Sequence, residues 1–177
     1  MAIANRRREQ VSDLHIDDFY KDIAKVLNHL YQSFPRKTTL YVEDIAGFEE
    51  PDEFGLHSNR YLACLGAMIW LAEEGYIRFE SELRQEAVDQ AVLTGRTFSA
   101  LSAVATTLSD AERADLSEGL PAALRATASE AFGDAVPDSE IQGQRTNINR
   151  LRLALRSKSS DRLRSVALDV LDPAASR

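Results

Sequence analysis

Apolar residues recur at three-and-four spacing through Ile16, Phe19, Tyr20, Ile23, Val26, Leu27, Leu30, Tyr31 and Phe34, which predicts an amphipathic first helix closed by Pro35. Asp17, Asp18 and Asp22 fall where the positive end of that helix would favour carboxylates. The period then changes. Thr38 to Val42 is β-branched and aromatic, a short strand, and Val42 to Ala46 reads as a brief helix stopped by Gly47. The stretch FEEPDEFG is an acidic loop broken by proline and glycine. Ser58 or Asn59 can cap a helix running from Arg60 to Glu74 and ended by Gly75. Tyr76 to Phe79 and Ala87 to Leu93 have strand composition, with ESELRQE between them as the charged tip of a hairpin. Thr94 can cap a further helix with Phe98, Leu101, Val104 and Leu108 on its apolar face and Thr97, Ser99 and Ser102 on its wetter side.

Past Ser109 the chain turns to Ala, Ser, Leu and Asp, with helical spacing at Leu116, Leu120 and Leu124 interrupted by Pro121. GDAVPDSEIQG reads as a linker. Two short amphipathic helices follow, one carrying Ile148, Leu151 and Leu155, the other Leu163, Val166, Ala167 and Val170, with Ser160 as N-cap of the second and Pro173 as its stop. Residues 1–13 carry no apolar periodicity and predict a flexible basic arm. The expected organisation is this arm, a folded unit over 14–108, and a helical C-terminal region over 109–177.

A chain of 177 residues, 44% hydrophobic and 28% charged, can bury its own core. Its net charge of -7 disfavours diffuse attraction to phosphate or anionic lipid unless the basic residues cluster, and they do so at the two ends. The single cysteine, Cys64, sits in an apolar run and predicts a buried, reduced thiol suited to a cytoplasmic setting. No apolar stretch follows Arg6, Arg7 and Arg8, and the longest apolar run, Tyr61 to Ala72, is too short for a bilayer, so no membrane partner is expected.

The run RYLACLGAMIWLAEEGYIRFESELRQEAVDQAVLTGRTFSAL resembles the third helix, two-stranded wing and following helix of winged helix-turn-helix domains. In that superfamily an apolar helix commonly ends in a WLxxEGYI phrase, matched here by WLAEEGYI, and the wing returns with a phrase like AVLTGRTF. The resemblance covers Leu14 to Leu108. It implies an α+β, mostly α fold: a winged-helix domain with a two-stranded wing, here followed by a helical C-terminal extension. For a DNA-binding member it further implies that the helix starting near Arg60 enters the major groove.

The residues fit that use poorly. Base reading needs a polar helix face, yet Asn59 and Arg60 stand at the very start and the remainder is YLACLGAMIWLA. The wing, with Glu80, Glu82, Arg84, Glu86 and Asp89, would repel phosphate. A helix this apolar predicts cover by a second subunit or by the C-terminal helices, which makes Leu62, Leu65, Gly66 and Ile69 candidate dimer-interface residues. Candidate contacts to nucleic acid or to an acidic partner are Arg6, Arg7, Arg8, Asn59, Arg60, Arg84, Arg145, Arg152 and Arg156, the last three able to share one helix face as a basic stripe. Arginines paired with Glu49, Glu50 and Asp52 would favour a protein partner, and one continuous basic face would favour DNA.

For catalysis, no nucleophile with a base, no paired acids in an apolar setting and no glycine-rich phosphate loop stand out. His15, His29 and His57 are far apart in sequence. No cofactor or metal is expected. The leading expectation is a non-catalytic protein-interaction or assembly module, acting as a homodimer. The alternative is a DNA-binding transcriptional regulator that uses Arg60, the N-terminal arginines and the C-terminal basic helix. A third class, a small-molecule sensor, would line an aromatic pocket with Tyr31, Phe34, Tyr41 and Trp70.

Overall fold

The first helix runs much further than its apolar pattern. A computed structural model describes residues 2–105, 146–157 and 159–171, with side chains from residue 14 onward, and in it α1 spans Ala2–Ser33. The backbone of the segment expected as an arm is therefore helical. Its first turn holds no acidic residue, so the dipole argument for Asp17, Asp18 and Asp22 fails: they lie in mid-helix. Ile23, Ala24, Val26, Leu27 and Leu30 form the fully buried face of α1.

Strand β1 (Thr38–Tyr41) leads into α2 (Val42–Ala46), which stops at Gly47 with φ 102. Helix α3 (Asn59–Glu73) is capped by Ser58, whose hydroxyl accepts the Tyr61 N–H at 3.3 Å. At its other end Gly75 takes φ 76, its N–H donates to Ala72 O, and the Tyr76 N–H donates to Leu71 O at 2.8 Å. This is the left-handed glycine stop that WLAEEGYI encodes, and it turns the chain sharply into β2 (Ile77–Arg78).

Strand β3 (Ser81–Leu83) and the longer β4 (Ala87–Leu93) complete the hairpin. Its tip is tighter than the sequence predicts. Arg84 and Gln85 both adopt left-handed conformations, φ 48 and 63, and the Glu86 N–H closes on Leu83 O at 2.8 Å. That is a type I′ turn, whose twist matches the flanking strands, so Ser81–Leu83 joins the ladder instead of forming the tip. β4 lies centrally and antiparallel to its neighbours. β1 pairs on one side (Leu40 with Val88), β2 and β3 on the other (Ile77 with Leu93, Glu82 with Val88).

Thr94 caps α4 (Gly95–Ser102). Thr97, expected on its wetter side, is buried, and its hydroxyl is satisfied by Thr94 Oγ1 at 3.0 Å. Val104, expected on the apolar face, is largely exposed beyond the helix end. Leu108, Leu116, Leu120, Leu124, Pro121, the GDAVPDSEIQG segment and Pro173 lie outside the described residues.

Helices α5 (Asn147–Ser157) and α6 (Ser160–Leu171) pack on α1 and on each other. The residue capping α6 is Ser159, not Ser160: its Oγ accepts the Arg162 N–H. Ile148, Leu151, Ala154, Leu163, Val166, Ala167 and Val170 enter one core with α1, and each large apolar side chain among them contributes about 1.5–3 kcal/mol by burial. The C-terminal helices thus belong to the body of the domain. Tyr76 Oη donates to Leu171 O at 2.9 Å, and Asn147 Nδ2 donates to Ala100 O at 2.9 Å, pinning α6 and α5 to the rest. The fold is α+β, mostly helical, with one small antiparallel sheet. Among the described residues no helix is long and apolar enough to cross a membrane.

Candidate functional site

Among the described residues, helix α3 packs chiefly on α1, α2 and β2, and part of its surface is exposed. Tyr61, Cys64, Leu65, Ala67, Met68 and Leu71 face inward. Asn59, Leu62, Ala63, Gly66 and Glu73 are exposed, and Ile69 and Trp70 are half-buried. Positions 59, 62, 66, 69 and 73 alternate steps of three and four, so they form a single seam along the helix. Of the expected interface residues, Leu62 (39% exposed), Gly66 and Ile69 lie on this seam. Leu65 does not: at 5% exposure it belongs to the core beneath, because α1 and α2 occupy that side of the helix. The C-terminal helices, expected as a cover for α3, cover α1 instead.

Gly66 has a specific geometry. A Cβ built there meets no heavy atom within 4 Å, so no contact among the described residues requires glycine.

Arg60 was expected as a contact to nucleic acid or an acidic partner, but its guanidinium is engaged within the chain. Nη1 and Nη2 donate to the two carboxylate oxygens of Asp22 at 2.7 and 2.6 Å, and Nε lies 3.5 Å from Asp18 Oδ2. Asp22 is 1% exposed and sits among Phe19, Ile23 and Val26 on the buried face of α1. A carboxylate so placed needs a fixed cation, and a bidentate guanidinium supplies one. The hydrogen bonds to Asp22 push the Arg60 pKa upward. One turn along α3, burial and then the Asp22 charge push the Cys64 thiol up to about 12, which keeps it protonated and inert at neutral pH. An open groove of about 470 Å³ runs from this ion pair between α1 and α3, lined by Leu14, Phe19, Asn59 and Ala63, and meets the seam at Asn59.

The remaining candidate arginines do not converge. Arg152 donates from Nε to Asn28 Oδ1 at 2.8 Å and lies over the Tyr31 ring, its guanidinium carbon 5.7 Å from the centroid. Arg156 is exposed near the end of α5, and Arg84 is exposed at the hairpin tip. Arg150, counted by sequence in the C-terminal basic group, is buried and ion-paired to Asp169 at 2.8 Å. The backbone of Arg6, Arg7 and Arg8 is part of α1, and Arg145 lies outside the described residues. The expected stripe of Arg145, Arg152 and Arg156 is thus reduced to one free exposed member among the described residues.

Around the hairpin, charge is mainly negative. Glu82 and Glu86 are exposed, Lys37 pairs with Glu80, and Asp89 accepts the Thr39 hydroxyl at 2.6 Å. In the loop before α3, Glu49 accepts both the N–H and the hydroxyl of Ser58 at 2.6 Å, which lowers its pKa. Asp52 accepts the N–H groups of Phe54 and Leu56. Glu49 and Asp52 organise their own loop, so the arginine pairing that would have favoured a protein partner is not seen for them among the described residues, and that loop holds Phe48, Phe54 and Leu56 out to solvent.

No family model, curated protein or solved structure matches the chain.

The aromatic residues considered for a small-molecule pocket occupy separate places. Tyr31 and Phe34 stack on Phe98 with centroids 5.5 and 4.2 Å away, Trp70 meets Phe19 edge-on at 5.1 Å, and Tyr41 is partly exposed on β1. His57 stacks on Tyr61 at 3.9 Å. Among the described residues no group of three or more His, Cys, Asp or Glu side chains is placed to hold a metal. Asp18, Asp22 and Asp169, which decide where the arginines go, were not singled out by sequence as partners. One signal was available: Asp22 interrupts the apolar positions of the first helix.

Proposed function

We propose that this chain is a non-catalytic protein-interaction module built on a winged-helix domain, and that it uses α3 to hold a protein instead of to read DNA. The order α1, β1, α2, α3, then the β2/β3 and β4 hairpin, with β1 on the far edge of β4, supports the winged-helix reading. The hairpin is then the wing, and α5 and α6 are an extension that completes the core. A cytoplasmic setting suits the buried Cys64 thiol.

The observation that carries the proposal is the outward face of α3. Where a DNA reader presents arginine, asparagine or glutamine to base edges, this helix presents Leu62, Ala63, Gly66 and Ile69, and Arg60 is held by Asp22 and Asp18. The acidic wing adds repulsion toward phosphate.

The test is anisotropy of a labelled random-sequence duplex titrated with the protein at about 50 and about 200 mM salt, a range over which phosphate contacts weaken by orders of magnitude. No binding at the lower salt is expected. Tight, steeply salt-dependent binding would overturn the proposal in favour of a DNA-binding regulator working through exposed arginines such as Arg84, Arg156 and Arg164.

A further inference from the structure

We infer that the protein seated on α3 is a second copy of this chain, with the two α3 helices packed antiparallel about a two-fold axis at Gly66. The inference rests on the reading of α3 as a protein-docking face. Gly66 is the midpoint of α3, seven residues from Asn59 (66 - 59) and seven from Glu73 (73 - 66). An antiparallel pair crossing there sets each position opposite the one equally far from Gly66 on the other helix. Leu62 then meets Trp70, Ala63 meets Ile69, and Asn59 meets Glu73.

Three observations favour this occupant. First, exposed Leu62 and Ala63 precede Gly66 and half-buried Ile69 and Trp70 follow it, so the face sets apolar against apolar when paired with its own reversed copy, as a two-fold interface requires. Second, the ends are complementary in charge. Glu73 has no ion-pair partner among the described residues, and across the axis it would face the amide of Asn59 in the first turn of the other α3, the positive end of that helix. A parallel pair would oppose Glu73 to Glu73. Third, glycine inside a helix costs about 1 kcal/mol relative to alanine, and the open space around Gly66 shows that packing among the described residues does not require it. At a helix crossing the missing side chain lets two axes approach to about 8 Å.

A seam one helix long buries less than the roughly 800 Å² per partner of a standard interface, so this dimer forms in the micromolar range. Sedimentation equilibrium of the full chain from about 1 to about 300 µM, spanning that range, should show a monomer–dimer equilibrium. Gly66→Glu should weaken it at least about tenfold while far-UV circular dichroism stays unchanged, since the site has room for the side chain.

Geometry is tested by cysteine pairing in a Cys64→Ala background. Gly66→Cys should oxidise to a symmetric disulfide dimer. Asn59→Cys and Glu73→Cys should cross-link with each other when mixed, and neither should do so alone. A protein that stays monomeric throughout, a dimer indifferent to Gly66→Glu, or Asn59→Cys cross-linking to itself would each overturn the inference. Monomeric protein that also ignores duplex DNA removes only the second copy and leaves α3 as a docking face; salt-steep duplex binding removes both.

Discussion

Replacing Arg60 with methionine keeps most of the aliphatic stem and removes the guanidinium, so that Asp22 loses the two bonds, 2.7 and 2.6 Å, that it accepts in the folded protein. The magnitude follows from the burial of each partner. Asp22 is 1% exposed and cannot turn to water, and stranding one member of a buried ion pair costs about 3–5 kcal/mol. The Arg60 side chain is 34% exposed, so the pair is only partly desolvated and the expected loss is about 2–4 kcal/mol. For a chain of this length that corresponds to a fall in Tm of roughly 5–15 °C. Asp22→Asn should cost less, about 1–2 kcal/mol, because the guanidinium keeps Asp18 at 3.5 Å and has access to solvent. Urea unfolding followed by circular dichroism for the wild type, both single variants and the double variant closes a cycle that isolates the interaction between the two residues. An Arg60→Met variant within about 0.5 kcal/mol of wild type, or an Asp22→Asn variant costlier than Arg60→Met, would refute the structural role assigned to Arg60. A base-reading arginine would behave in the opposite way, losing duplex affinity and leaving stability intact.

Three further outcomes are expected. Gly66→Ala, measured by thermal melting at concentrations low enough for monomer, should stabilise the chain by about 0.5–1 kcal/mol, since the helix gains propensity and the added methyl meets nothing; destabilisation would show that the site is not open. Because the folded Cys64 thiol titrates at about 12 and an unfolded thiol at about 8.5, its contribution is fully present below about pH 8.5 and is lost as pH rises toward 12, by about 1.4 kcal/mol per unit; Cys64→Ala should flatten the alkaline fall in stability, and an unchanged slope would contradict the burial. Deleting residues 1–10 should leave Tm within about 3 °C of wild type, because their sequence carries no apolar periodicity; a larger fall would mean that this part of α1 is anchored.

Much of the fold was legible because it depends on neighbours in the chain. The stop at Gly75, the cap at Thr94 and the extent of β4 are set by local chemistry, and each appears where the sequence puts it. The start of α1 at Ala2 was not legible, since residues 1–13 carry no apolar stripe to announce a helix. The hairpin tip at Arg84 and Gln85 was missed for a related reason: a type I′ turn usually signals itself by glycine or asparagine, and neither is present.

The candidate site divides the same way. Sequence alone showed that the α3 segment is almost entirely apolar and that the hairpin is rich in acidic residues, and it predicted a buried Cys64, because composition and period are properties of short windows. It could not decide which side of α3 stays open, that Leu65 lies inside while Leu62 and Gly66 lie outside, or that Arg60 belongs to Asp22, 38 positions earlier. Nor could it place α5 and α6 against α1 instead of over α3. An apolar residue records only that it prefers to leave water, and a charge only that it prefers an opposite charge; which surface or which partner each one finds is fixed when helices distant in the chain pack together.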